Sequence, residues 1–146
     1  MSNITNLKVI KRNNREEKLN LDKIHRVITW AAEGLQDVSV SQVEMKSQIQ
    51  FYNGIRTKDI HETITKAAAD LISSNTPDYQ YLAARLAIFQ LRKIAYGQFT
   101  PPSLIKHIKK LVKEHKYDSS ILENYSEAEI AELDQCIDHS LSLIHI

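Results

Sequence analysis

The sequence predicts a mainly α chain, a helical bundle capped by a small β-hairpin. Three observations lead there. Apolar residues recur at helical spacing through most of the 146 residues. Near the N-terminus, two short β-prone runs flank an Asn-Asn pair. Polar residues able to cap a helix stand where most of the apolar patterns begin.

Residues 7–12 are β-prone, Asn13-Asn14 supplies a two-residue turn because Asn tolerates positive φ, and Glu17-Lys18-Leu19 forms the return strand. Ile24, Val27, Ile28, Ala31 and Leu35 then share one helix face, with Asp22 as N-cap and Gly34 near the C-terminal end. Ser41-Gln-Val-Glu44 fits a capping box that opens a shorter helix to about Phe51. Asn53-Gly54 turns the chain, and Ile55-Arg56 adds a third short strand. Asp59-Ile-His-Glu62 caps the next helix, whose apolar face is Ile60, Ile64, Ala67, Leu71 and Ile72. Pro77-Asp78 opens a helix running to Gly97. It is apolar on two faces, Leu82, Leu86 and Phe89 on one and Ala84, Ile88 and Leu91 on the other, which places it centrally.

Thr100-Pro-Pro-Ser103 interrupts the helical pattern and marks an expected domain boundary. Leu104, Ile105, Ile108, Leu111 and Val112 make a further amphipathic helix with Lys106, Lys109, Lys110 and Lys113 outward. Ser126-Glu-Ala-Glu129 is a second capping box, opening a helix to about Ile137. The segment Leu141-Ser-Leu-Ile-His-Ile146 matches the translation of a transposase sequencing adapter. Natural sequence is therefore expected to stop at about His139 or Ser140, and residues 141–146 carry no weight in the fold reading.

Composition removes several functional classes. The three glycines, Gly34, Gly54 and Gly97, are too far apart to write a dinucleotide-binding or P-loop glycine motif. The single cysteine, Cys136, excludes a disulfide framework and a cysteine zinc site. It occupies an amphipathic-helix position and is expected to be a small core residue rather than a nucleophile. No apolar run reaches the ~20 residues of a membrane span, and Met1 to Arg15 is polar and basic, so a cytoplasmic location is expected. The six histidines show no metal-ligand spacing. The lysine-rich helix lacks interleaved aromatic residues apart from Tyr117, so it is expected to be a solvated face rather than a nucleic-acid contact.

The net charge of +1 is unevenly spread, with basic residues concentrated before residue 27. Lys11-Arg12 ends the first strand, and Lys23 lies in the first turn of the first long helix, where a cation opposes the helix dipole. Lys23 is either an ordinary surface lysine or part of an anion site at a helix start. Thr57 precedes another helix start, His61 lies in that helix's first turn, and Lys93 is near the end of the long apolar helix. If these groups converge, a hydroxyl, an imidazole and several cations would suit a triphosphate and a purine.

Four segments together resemble the ATP-cone. They are Val9-Ile-Lys11-Arg12, Asn20-Leu-Asp-Lys23-Ile-His-Arg-Val, Thr57-Lys-Asp-Ile-His61-Glu and Asp78-Tyr-Gln-Tyr-Leu-Ala-Ala-Arg-Leu. With Ala-Tyr-Gly-Gln-Phe-Thr-Pro-Pro at 95–102, the order resembles the start of the large (α) subunit of class I ribonucleoside-diphosphate reductases. The family often has Asp-Gly at the hairpin tip, where this chain has Asn13-Asn14.

The resemblance implies a helical bundle capped by a small three-stranded sheet, with residues 1–100 as the allosteric cone and 101–140 as a helical connector to a catalytic barrel absent from this chain. It implies ATP as activator and dATP as inhibitor of ribonucleotide reduction, with Mg2+ accompanying the nucleotide and no redox cofactor in this portion. The implied nucleotide contacts are Val9, Lys11, Arg12, Glu17, Asn20, Lys23, Ile24, Thr57, His61 and Lys93. Related cones place a second nucleotide at positions matching Arg26, Trp30 and Phe89. The implied partners are the radical-bearing small (β) subunit and other large subunits, with neither membrane nor nucleic acid. One cysteine cannot supply the thiyl radical and redox pair of a reductase, so no catalytic residue is assigned. The alternatives are the cone of a transcriptional repressor of reductase genes, which places a cysteine zinc ribbon before its cone, or a free-standing nucleotide-sensing module.

Overall fold

The computed structural model describes residues 6–144. Part of the suspected adapter tail, residues 145 and 146, and the first five residues of the basic N-terminal stretch lie outside the described residues.

The chain begins with β1 (Lys8–Ile10) and β2 (Glu16–Lys18), continues through α1 (Leu21–Ala32) and α2 (Val40–Gln48), and returns to the sheet as β3 (Ile55–Arg56). It then runs through α3 (Thr57–Ala69), α4 (Tyr79–Tyr96), α5 (Leu104–Lys113), α6 (Ser120–Asn124), α7 (Glu127–Gln135) and α8 (Leu141–Ile144). The expected mainly α architecture with a three-stranded sheet is present. The sheet order is β2-β1-β3. β1 pairs antiparallel with β2, Val9 opposite Glu17, and parallel with β3, Val9 opposite Ile55 and Ile10 opposite Arg56.

The hairpin loop differs from the expected two-residue turn. Lys11 N–H donates to Arg15 O at 2.8 Å and Asn14 N–H donates to Lys11 O at 2.9 Å, which encloses the three residues Arg12, Asn13 and Asn14. Only Asn14 takes positive φ, at 59°, whereas a type I′ turn needs it at both central residues. The result is a type I turn closed by a left-handed residue, and Asn13 Oδ1 accepts from Arg15 N–H at 3.2 Å.

Three helix starts also fall elsewhere than the sequence suggests. Asn20, not Asp22, caps α1, its side chain accepting from Lys23 N–H at 3.0 Å. Ser39, not Ser41, caps α2, accepting from Gln42 N–H at 3.3 Å. The reason is tertiary: buried Tyr79 on α4 uses its hydroxyl to accept from Ser39 N–H at 2.9 Å and donate to Gln42 Oε1 at 3.0 Å. Glu44 is drawn away from a capping role by His25, whose Nδ1 lies 2.8 Å from its Oε1. α3 begins at Thr57, two residues before Asp59, with Arg56 as N-cap and no side-chain cap bond. The Ser126–Glu129 capping box forms as read.

Two compact units divide the chain between Gln90 and Leu91, within α4. Packing sets this division. Arg92, although charged, is buried in the second unit, where its guanidinium donates to His139 O and Ser142 Oγ and lies over the Phe99 ring.

In the first unit the core gathers Val9 and Ile55 from the sheet, Ile24, Ile28 and Ala31 from α1, and Val43 from α2. Ile60, Ile64, Ala67 and Ala68 from α3 and Tyr79, Leu82, Ala83 and Leu86 from α4 complete it. Burying one such aliphatic side chain contributes about 1.5–3 kcal/mol. Two readings of apolar faces need correction. α3 ends before Ile72, which is exposed, and the second face of α4 is only half-buried at Ala84 and Ile88 and exposed at Leu91.

In the second unit α5 packs on α7 through buried Ile108 and Ile130. Asp134 accepts from Leu104 N–H at 3.0 Å, capping α5 from its neighbour, and Lys109 pairs with Glu127. α5 ends in a Schellman motif with His115 left-handed at φ 55°, Lys116 N–H donating to Leu111 O and His115 N–H to Val112 O. Cys136 caps the C-terminus of α7 and is exposed, so it is not a core residue. The short helix α6 was not foreseen, and Leu141–Ile144 of the suspected adapter segment is helical.

Candidate functional site

The parallel pairing of β1 with β3 sets the geometry of the candidate site. Because Ile10 lies opposite Arg56, the chain leaves β1 as Lys11-Arg12 in register with the point where β3 becomes α3 at Thr57. The first turn of α3 has backbone N–H groups with no side-chain acceptor at its N-cap. A basic loop and a helix start therefore share one end of the sheet, an arrangement suited to anions.

Lys11 is half-buried and its Nζ lies 3.2 Å from Glu17 Oε2, which ties the loop to β2. Arg12 is exposed at the loop tip. Val9 and Ile24 are buried in the first-unit core, and both Thr57 and His61 are half-buried. His61 is in the second turn of α3, not the first, because the helix starts at Thr57 itself. Its carbonyl accepts from Thr65 Oγ1 at 2.9 Å.

Asn20 and Lys23 lie at the start of α1, directly after β2. Antiparallel pairing puts that exit beside Lys8, at the opposite end of the strands from Lys11. The strands are so short that the two ends are only about 7 Å apart at 3.3 Å per residue.

A second cluster joins three helices. The His61 ring stacks on Phe89 with centroids 5.4 Å apart, and Phe89 packs against Trp30 at 5.7 Å. Sequence spacing could not bring α1, α3 and α4 together at these rings. Arg26, on α1, is exposed, and its Nε donates to Asp22 O at 3.4 Å. Lys93 is in the last turn of α4, within the second unit.

Sequence reasoning missed Arg85. Its guanidinium donates to Ala31 O at 3.0 Å and Glu33 O at 2.7 Å, closing the C-terminus of α1, which has no basic residue in its own last turn. The Arg in Leu-Ala-Ala-Arg-Leu was the available signal. A shallow apolar groove of about 530 Å³, lined by Gln42, Met45, Lys46, Gln48, Ile49 and Leu71, was also unforeseen. It includes none of the candidate nucleotide-site residues. Among the described residues, no helix is long and apolar enough to cross a membrane.

A bundle capped by a β2-β1-β3 sheet, with a basic loop beside a helix start, defines a small, mainly helical domain whose sheet end has the chemistry to suit an anion. Residues 7–94 match the family described as the ATP cone domain, and the chain belongs to that family. It is the form of cone carried by ribonucleoside-diphosphate reductase α subunits. It is 67% identical over 133 residues to subunit alpha of Haemophilus influenzae, covering 91% of this chain and 18% of the relative. To ribonucleoside-diphosphate reductase 1 subunit alpha of Escherichia coli it is 65% identical over 134 residues, 92% of this chain and 18% of that one. The corresponding subunit of Enterobacteria phage T4 is 43% identical over 135 residues, again 91% and 18%. The chain thus spans less than a fifth of the length of these relatives.

Proposed function

We propose that this cone is the overall-activity regulatory domain of a ribonucleoside-diphosphate reductase α subunit, with residues 1–100 as the cone and 101–140 as a connector to the catalytic barrel. ATP bound at the cone permits reduction of ribonucleotides to deoxyribonucleotides, and dATP shuts it down. The observation that carries this reading is the register of β1 with β3, which sets Lys11 and Arg12 beside the start of α3.

In this reading Lys11 and Arg12 balance triphosphate charge, and Thr57 Oγ1 with the first-turn N–H groups of α3 donates to phosphate oxygens. Val9 and Ile24 border the base, while Glu17, Asn20, Lys23 and His61 hold the sugar and the remaining polar edges. A nucleoside triphosphate is long enough to bridge from the hairpin loop to the start of α1. Mg2+ would accompany the phosphates. A second nucleotide would use Arg26, Trp30 and Phe89, whose rings offer a stacking surface beside His61. The protein works in the cytoplasm, and its partners are the small (β) subunit and further α subunits.

ATP and dATP differ by one hydroxyl, and one hydrogen bond contributes about 0.5–1.5 kcal/mol net. Useful inhibition needs a coupling of about 1–3 kcal/mol. The nucleotide therefore acts by biasing a two-state docking arrangement rather than by affinity alone.

Titration calorimetry tests the site. Both nucleotides are expected to bind at micromolar concentrations. Lys11→Ala or His61→Ala is expected to weaken both, with loss of a charge-assisted contact costing about 1.5–3 kcal/mol, or roughly ten- to a hundredfold. Absence of heat with either nucleotide, on protein whose circular dichroism is native, would overturn the reading.

A further inference from the structure

The turn before β3 contains the only Asn-Gly pair in the chain, Asn53-Gly54. This dipeptide is the most reactive toward deamidation because glycine leaves its backbone nitrogen unshielded. The reaction is intramolecular. The Gly54 nitrogen loses its proton and attacks Asn53 Cγ, the Cγ–Nδ2 bond breaks, and ammonia leaves. Water then opens the five-membered imide at either carbonyl, giving aspartate or isoaspartate. No oxidant or cofactor is consumed.

Both reacting groups are held by one residue of β1. Gly54 N–H donates to Lys8 O at 2.8 Å, and Asn53 Oδ1 accepts from Lys8 N–H at 2.9 Å. The attacking nitrogen is thus occupied in the folded sheet, although Asn53 itself is exposed. Cyclisation requires Gly54 to leave Lys8, which opens the β1–β3 edge. That edge also sets Val9 against Ile55 and positions the Lys11-Arg12 loop.

We infer that Asn53-Gly54 is a deamidation site gated by β1, so that its modification records opening of the sheet. Occupancy of the proposed nucleotide site, which uses the same strand, slows it. This second part rests on the proposed function. The aspartate product keeps an acceptor for Lys8 N–H. The isoaspartate product adds a methylene to the backbone and breaks the parallel register, which disables the loop.

The test is peptide mapping by mass spectrometry after incubation in mildly alkaline buffer, with Asn53→Gln as the control that assigns the mass gain to this position. Freeing the Gly54 N–H from Lys8 O before reaction should slow the folded chain by about tenfold relative to the urea-unfolded chain. Equal rates in both states overturn the gate, and no conversion in urea overturns the site. Added Mg·ATP is expected to slow the folded chain further. An unchanged rate while calorimetry still records binding overturns the coupling. Loss of calorimetric binding instead overturns the nucleotide reading, and the comparison with urea still decides the gate.

Discussion

Replacing Arg85 by Gln should loosen the first unit by far more than an ordinary surface substitution. The guanidinium makes two hydrogen bonds to carbonyls at the end of α1, at 3.0 and 2.7 Å, and supplies the cation that this helix terminus lacks. Hydrogen bonds from a charged donor contribute about 1.5–3 kcal/mol each when sheltered. Arg85 is only half-buried, so a total of about 2–3 kcal/mol is reasonable. Lys at this position keeps the charge near the dipole, worth about 0.3–1 kcal/mol, but its shorter side chain does not set an N–H donor where Nη1 stands. Trp30 is the single tryptophan and sits in the last turn of α1, so its fluorescence reports this unit directly. With a urea slope of about 2 kcal/mol/M, the midpoint of Arg85→Gln should fall by roughly 1 M, and that of Arg85→Lys by less. A loss below about 0.5 kcal/mol in the Gln variant, the level of an ordinary surface change, would refute the clamp.

Other substitutions probe single features. Asn20→Ala removes the cap on Lys23 N–H and should cost about 1 kcal/mol, read as a lower thermal midpoint by circular dichroism; no change would mean the cap is supplied by water. Leu82→Ala, at a fully buried position, should cost about 2–5 kcal/mol in the same urea assay, and a loss under 1 kcal/mol would contradict the packing. His115→Gly should stabilise the second unit by up to about 1 kcal/mol, since glycine carries no penalty in the left-handed region; a fall in midpoint would count against the Schellman geometry. Glu129, Asp118 and Asp138 each accept hydrogen bonds from a nearby serine, and Glu114 pairs with Lys116, so all four carboxyls are held below their ordinary range. A depressed folded-state pKa stabilises above the unfolded value and is lost as pH falls through the folded one. Their modest contribution to the second unit should therefore be complete above about pH 5 and decline as pH falls below about 4. An acid titration followed by NMR in which Glu129 protonates no lower than a free glutamate would refute this.

Element types were largely legible in the sequence because their signals are local. The stripe of Ile24, Ile28 and Ala31 and that of Ile60, Ile64 and Ala67 specify buried helix faces without reference to the rest of the chain. The starts of α1, α2 and α3 were less legible. Ser41–Glu44 and Ser126–Glu129 fit the same capping template, yet only the second forms it. The difference lies in Tyr79, forty residues away, which fixes Ser39, and in His25, which engages Glu44. The loop at Asn13-Asn14 differs for a local reason, since one residue rather than two takes positive φ. For the candidate site, the residue types were readable, but the juxtaposition of Lys11 with Thr57 depends on a parallel pairing that no local pattern encodes. The stack of His61 on Phe89 depends likewise on helix packing.

The sheet order β2-β1-β3 also bears on how the domain is made. The middle strand is the first to leave the ribosome. β1 can pair with β2 once Lys18 has emerged, but its other edge must wait for Arg56, after α1 and α2. A parallel pairing across that separation is slow to form, and an unpaired edge invites a neighbouring chain. The nascent cone therefore passes through an interval in which its basic loop is built but its partner helix start is not. Crowded synthesis, rather than the finished fold, is the stage at which this sheet is most exposed to mispairing.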